Sequence, residues 1–445
     1  MFATFKAALS AQKNRLREKI SNRWQQSKAF TLRTWEQISA YSKPRIINFL
    51  IWLDDTVTPL KKMLGTLVGR EDLFTSEDKF ILLDQVTRFY QSDFYLALDE
   101  KLRDSFTDMP LAGDDPRIIQ RSTMAQLTNA VQAWQEGRNL SVAISGEKSS
   151  GLTTLLNSFI LYLKDNKISH QHLPLNERLT SALDITTLVK ELFRLRTDPI
   201  GLDNLIMHIN ELKPKVIVLD NLHFLVQRTG SAQRVIDTLG AIILGTRGHH
   251  LWVLGCEEQA WRRLTYGYEF EHVFSHLIHL DNFSRSEMNE LLVTRFRCAG
   301  FTHINEVLLD ELKNTKTPID AISRKSKGCI ELALFYCLAN MQYGTGKHKV
   351  FLQRPLTIDV SALKELDNTE LFTLAEICTH GQLSASEHRV IFRTTLNQSK
   401  MALEHLRVLG LLDQVEPGNR REAYQLKLIA SSMIIDHLIA ANYLY

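Results

Sequence analysis

Two short runs in this sequence combine residue types and spacings suited to phosphate chemistry. The first is Gly146-Glu147-Lys148-Ser149-Ser150-Gly151-Leu152-Thr153-Thr154, preceded by the apolar run LSVAIS and followed by LLNSFILYL. Two glycines separated by four residues allow a tight backbone path that turns successive N–H groups toward phosphate oxygens. A helix opening directly afterwards adds its positive N-terminal end. The frame is that of a phosphate-binding loop, GxxxxGK[ST], except that Leu152 stands at the lysine position. All nine residues from Gly146 to Thr154 are candidate nucleotide contacts, and Thr153 occupies the position of the magnesium-binding hydroxyl.

The second run is KVIVLDN, in which Asp220 lies 69 residues after Gly151. An apolar strand ending in a carboxylate can hold magnesium directly or through water, so Thr153 and Asp220 form the candidate metal pair. Hydrolysis also needs a group that polarises the attacking water. Asn221 follows Asp220, and an amide can orient a water but cannot take its proton. Leucine cannot supply the charge that a loop lysine brings to the β- and γ-phosphates. Lys148 is the one loop residue able to swing in as a substitute. Without it the expectation is nucleotide binding with very slow or absent turnover, or a loop kept only for folding.

These residues need a frame to hold them. From Arg117 the texture is an alternation of strands and helices: a helix over 122–136, strands over 140–145 and 166–173, and a helix over 182–195. A strand over 215–220, a helix over 232–244, a strand over 250–255, a short helix over 260–264 and a strand over 276–280 follow. That pattern predicts an α/β fold with a parallel sheet covered on both faces. Beyond Ser284 strands are expected to stop, with helices over 285–299, 304–313, 318–326 and 329–342. The C-terminal module reads as helices over 386–396 and 398–409 and a hairpin over 411–415 and 423–428, a winged-helix pattern.

Together these motifs resemble the AAA+/STAND type of P-loop NTPase over residues 117–342, about half the chain. The strand 250–255 resembles sensor 1, ending in Gly255-Cys256-Glu257 where Asn, Thr or Ser is usual. LDNFSRSEMNELLVTRF resembles the entry into the helical lid. SKGCIELAL resembles the start of the sensor 2 helix, with Glu331 near the usual place of an arginine. Arg262 and Arg263 lie where such proteins carry an arginine finger. The resemblance implies catalytic positions at Asp220, Asn221, Cys256, Arg262 and Arg263, with ATP or ADP and Mg2+ as cofactors. It implies a P-loop NTPase core at 117–283 and a lid at 284–345; the residue pattern outside it gives a basic amphipathic helical arm at 1–110 and a winged-helix-like domain at 360–445.

Composition narrows the classes. The chain has 445 residues, 44% of them hydrophobic and 23% charged, an ordinary soluble balance. Five scattered cysteines without a CxxC pair predict reduced thiols in a cytoplasmic protein. No apolar run approaches the ~18 residues of a spanning helix, and no signal peptide is expected. Fifteen histidines form no HExxH or paired metal spacing. Residues 1–70 hold thirteen Lys/Arg against four Asp/Glu, a charge of +9 that leaves −6 on the rest. That arm, with its aromatic and apolar stripe, reads equally as a peripheral contact with the inner face of an anionic membrane and as a helix docked on protein. The winged-helix segment offers Lys400, His405, Arg407, Arg420 and Arg421 to DNA. Residues 385–428 are only +2 overall, however, so a protein partner or self-association is the better reading. The expected function is a regulatory or scaffolding protein switched by nucleotide. A working ATPase motor and a DNA-binding initiator or transposition-type ATPase are the alternatives.

Overall fold

The computed structural model describes residues 80–444 apart from 83–85, 87–88, 91, 120, 196–199, 227, 229–231, 306, 310–317, 344–347, 354, 356 and 416–421. The basic arm of residues 1–70, and Arg420 and Arg421, lie outside the described residues. Strand β1 (Phe80–Leu82) and helices α1 (Asp93–Leu96) and α2 (Glu100–Ser105) come first. The helical arm expected over 1–110 is, among the described residues, two short helices preceded by a strand: Ser92 and Asp99 act as N-caps, accepting from the N–H groups of Tyr95 and Lys101.

The core follows: α3 (Ser122–Gln135), β2 (Ser141–Gly146), α4 (Leu152–Asp165), β3 (His170–Pro174), α5 (Ala182–Phe193), α6 (Leu202–Asn210), β4 (Val216–Asp220), α7 (Ala232–Thr246), β5 (Leu251–Glu257), α8 (Glu258–Tyr268) and β6 (His276–Leu280). The sheet is parallel throughout, in the order β3-β4-β5-β2-β6. Its central strands read as unbroken apolar runs because both faces are buried. Side chains alternate between the faces. Val216, Val218, Leu251 and Val253 pack with Leu156 and Phe159 on one side. Ile217, Leu219, Trp252 and Leu254 pack with Val189, Leu239 and Ile243 on the other. The chain leaves β2 for the far edge at β3, returns through β4 and β5, then crosses β2 to β6. The C-terminal ends of β2, β4 and β5 therefore converge where the winding reverses, which is where open α/β sheets bind ligands.

The lid comprises α9 (Arg285–Cys298), β7 (His303–Ile304), β8 (Val307–Leu308), α10 (Pro318–Lys325), α11 (Ile330–Ala339), β9 (Met341–Tyr343), β10 (Lys349–Leu352) and β11 (Thr357–Asp359). The expectation that strands end at Ser284 is corrected here. β8, β7, β10 and β9 form a small sheet in that order, and β11 pairs with β1. The helix expected from 304 is a tight hairpin, because Asn305 adopts the left-handed conformation at φ +49°. The Asn305 amide then grips Leu352, donating to its carbonyl at 3.0 Å and accepting its N–H at 2.7 Å.

The C-terminal module contains α12 (Asn368–His380), β12 (Gln382–Ser384), α13 (Ala385–Phe392), α14 (Leu396–Val408), β13 (Leu412–Val415), β14 (Ala423–Leu426) and α15 (Leu428–Ala440). Its three strands pair antiparallel in the order β12-β14-β13. Lid and module share one hydrophobic core, in which Leu292 and Phe335 join Leu374, Leu406 and Ile434. Among the described residues no helix is long and apolar enough to cross a membrane.

Candidate nucleotide site

The loop after β2 forms because two residues accept positive φ. Ser149 stands at φ +75° and Gly151 at φ +81°, the latter as the left-handed N-cap of α4. Gly146 is needed for space, since a Cβ there would lie 2.6 Å from Ser150 Oγ. Arg121 clamps the loop from outside. It donates to the Ser150 carbonyl at 2.9 Å and to the Asp281 carbonyl, with its guanidinium 4.3 Å from the centre of the Phe283 ring. The loop is thus tied to the strand that enters the lid.

Above the loop lies a cavity of about 250 Å3. Its floor is Gly146–Thr154 without Ser150, and one wall is Asp220, Asn221, His223 and Glu257 from the ends of β4 and β5. Arg295, Ile330 and Glu331 of the lid, Leu428 of the C-terminal module and the strap 107–111 close it. The turn-rich segment 109–116 is bound along α4 here. Thr154 Oγ1 accepts the Leu111 N–H at 3.2 Å, and Asn157 donates to the Leu111 carbonyl at 2.8 Å. A neighbouring cavity of about 520 Å3, partly lined by Ile118, Met124, Tyr162 and Phe283, shares Leu111, Gly151, Thr154, Arg295 and Ile330 with the first.

Asp220 is the polar centre of the wall. Its Oδ1 accepts the Asn221 N–H at 2.7 Å, while Oδ2 is buried without a hydrogen-bond partner. Burial pushes its carboxyl above the usual range, against the pull of the Asn221 N–H and the nearby Thr153 hydroxyl. Gly255 makes room for it: a Cβ there would sit 3.0 Å from Asp220 Oδ1 and 2.8 Å from Leu156 Cδ1. Gly255→Ala is therefore expected to destabilise the fold by about 1–3 kcal/mol, read by urea unfolding.

Asn221 adopts the left-handed conformation at φ +62°, and its amide donates to the Leu175 carbonyl at 3.2 Å. Lys148 does turn into the cavity, but its Nζ lies 3.8 Å from Glu257 Oε1. Burial raises the Glu257 carboxyl, and Lys148 and His223 more than offset this, leaving it below its usual range. His223 is buried, which lowers its pKa to about 4, so the ring is neutral at pH 7. Glu331 is pushed up by burial. The walls present five acidic residues (Asp108, Glu147, Asp220, Glu257 and Glu331) against two cations, Lys148 and Arg295.

Of the remaining candidates, Ser150 is buried beneath the loop with its hydroxyl unpartnered. Cys256 is buried beside the wall, its thiol pushed up by burial, and does not line the cavity. Arg262 bonds Glu258 at 2.8 Å and lines the same hollow as Arg263, away from the loop cavity. Arg228, Glu376 and Tyr443 also line that hollow. Neither arginine faces the loop cavity within this chain.

Two residues to which the sequence assigns no role are prominent, Arg178 and, near the end of the LDNFSRSEMNELLVTRF run, Arg295. Arg295, in α9, lines both cavities and is 4% exposed. Arg178, just beyond β3, joins the core to the C-terminal module. It bonds Glu387 Oε1 and the Val226 carbonyl at 2.7 Å, the Gln382 carbonyl at 2.8 Å and the His380 carbonyl at 3.3 Å. Beside it the His223 ring lies flush on Gly381, which has φ +76°. Only an arginine's several donors allow one side chain to serve that many acceptors, but sequence cannot show which arginine does so.

No family model and no curated protein matches the chain. Among solved structures it is similar to the Aeropyrum pernix ORC2 protein in ADPNP–ADP complexes, at 15% identity over 76% of this chain and 98% of that one, with a TM-score of 0.41. The Aeropyrum pernix ORC1 protein in complex with DNA gives 12% identity over 78% and 98%, TM-score 0.40. Cdc6p from Pyrobaculum aerophilum gives 14% over 78% and 99%, TM-score 0.37. These are likenesses of outline, and what those proteins bind is theirs. The fold rests on the sheet order and the strand–loop–helix junction described above: an α/β P-loop NTPase core with a helical lid.

Proposed function

We propose that this chain is a nucleotide-responsive regulatory protein that binds ATP or ADP with magnesium and hydrolyses ATP very slowly or not at all. The observation that carries the reading is the make-up of the loop cavity. Core, lid and C-terminal module each contribute residues to it, so an occupant would touch all three and bias their arrangement. Backbone N–H groups at the α4 N-terminus suit the phosphates, and the adjoining cavity, with its apolar walls, suits a base. Magnesium keeps several waters and takes one or two carboxylates plus substrate phosphates. The orphaned Oδ2 of Asp220 beside Thr153 fits that requirement. Magnesium, when bound, would supply the charge that screens phosphate from acidic walls. Among the described residues no group of three or more His, Cys, Asp or Glu could hold a metal alone.

Three residues support weak turnover. Leu152 brings no charge, Lys148 faces Glu257, and Asn221 has its amide engaged and cannot accept a proton. The test is calorimetric titration with ATP and ADP. Binding should require magnesium, Thr153→Ala should weaken magnesium–nucleotide roughly tenfold, and phosphate release should stay at the blank rate. Turnover abolished by Asp220→Ala would instead establish a motor.

For the C-terminal module a protein partner is favoured over DNA. In α14, Arg407 forks onto Glu404 and His405 bonds Glu370 at 2.6 Å, while Met401 and Val408 are exposed. A salt-sensitive affinity for duplex DNA would count against this.

A further inference from the structure

We propose that Arg295 of the lid is the phosphate-binding cation of this site, supplying from α9 the charge that Leu152 does not supply from the loop. The inference deepens the nucleotide-binding reading and rests on it. Arg295 is 4% exposed, yet among the described residues it forms no ion pair. Among the described residues its hydrogen bond runs from NH1 to the Ser105 carbonyl at 3.0 Å, and Nε is buried without a partner. The acid that acts on it most strongly, Asp115, is already held by Arg117, whose Nε donates to its Oδ1 at 2.7 Å. Arg117 also repels Arg295, and burial with that repulsion brings its pKa down to about 10, so it remains charged at pH 7.

A buried, charged and unpaired guanidinium is costly to a fold. A single bond to a carbonyl does not require arginine, since any small donor would make it. What arginine offers is a planar fork of donors matched to phosphate oxygens. Its position fits that use, because it lies on the wall shared by the two cavities, where a phosphate chain leaving a base would pass. The loop's own cation does not compete for the role, because Lys148 faces Glu257. A second consequence follows from placement. A phosphate cation carried by the lid couples occupancy to lid position, which a loop lysine would not do.

The test compares adenosine with ADP, both in magnesium, by calorimetry on the full chain and on Arg295→Gln. The expected result is a 10- to 100-fold loss of ADP affinity with adenosine affinity unchanged, and partial recovery in the double variant Arg295→Gln/Leu152→Lys. Removal of an unpaired buried charge should also leave the melting temperature without nucleotide unchanged or higher. An unchanged ADP affinity overturns the proposal, as does an equal loss for both ligands. A wild-type chain that binds neither ligand would instead refute the nucleotide reading itself. Amide exchange on the wild-type chain needs no variant to fold. ADP should slow exchange across 285–298 and adenosine should not, and equal protection by both overturns the assignment.

Discussion

Arg178→Ala is expected to lower the unfolding free energy by about 2–4 kcal/mol, the loss of several charge-assisted hydrogen bonds around a partly buried ion pair. The loss should be local as well as large. Amide exchange should rise first in 376–387 and 222–226, the two segments that the guanidinium joins, before it rises in β2 or β5. The reason is geometric: Glu387 and the carbonyls of Val226, Gln382 and His380 all depend on this one side chain. Glu387 is also the N3 residue of the α13 capping box, so losing its partner loosens a helix start. The pair adds a pH signature. Burial raises the Glu387 carboxyl, but the Arg178 charge outweighs it and leaves the folded pKa depressed. A depressed carboxyl contributes stability that is present above the unfolded value, near 4.5, and is lost as pH falls through the folded one. Wild type should therefore lose part of its advantage over Arg178→Ala below about pH 4.5. A difference that stays constant down to pH 3 would remove the ion pair from the account.

Asp220→Asn should act in opposite directions on the free and the nucleotide-bound protein. In the free protein the carboxylate is buried with Oδ2 orphaned, and its pKa is raised, mainly by burial. A raised carboxyl favours folding below the unfolded pKa and works against it as pH rises through the folded value. At pH 7 the amide should therefore stabilise the free protein by about 1–3 kcal/mol, with the difference shrinking as pH falls through the raised folded value and gone near the unfolded value of 3.8. With magnesium and ADP the ranking should invert, because the variant loses the ligand for the ion and with it the nucleotide-dependent rise in melting temperature. A variant less stable than wild type at pH 7 without nucleotide would show that Asp220 supports the fold and is not poised for a cation.

The parts legible in the sequence were those built from repetition. Core strands such as VIVLD announce themselves because both faces of a parallel sheet demand apolar residues, and the loop announces itself through Gly146 and Gly151. The parts missed lack a period. Strands of two to four residues, such as β7, β8 and β9, are too short to show alternation. Helix α15, LIASSMIIDHLIA, is apolar nearly all round because lid and module bury it from several sides, so it shows little amphipathic stripe. Helix α12 did carry a readable signal, Asp367 followed by Glu370, which forms a capping box. Arg178 and Arg295 could not be read, since their importance comes from neighbours over a hundred residues away or from having too few. Arg262 and Arg263 were placed by position in the sequence alone, and neither faces the loop cavity of its own chain.

The His223 ring against Gly381 has a consequence for how this sequence can vary through descent. Any side chain at 381 would place its first carbon 2.4 Å from His223 Cδ2, and the backbone there already has φ +76°. The two positions, 158 residues apart in sequence, therefore cannot drift independently. Orthologues that keep a large ring after the β4 aspartate should keep glycine at the end of α12. Those that lose the glycine should show a small residue in place of the histidine. A set of related sequences in which the two positions vary without regard to each other would mean that this junction between core and C-terminal module is not inherited.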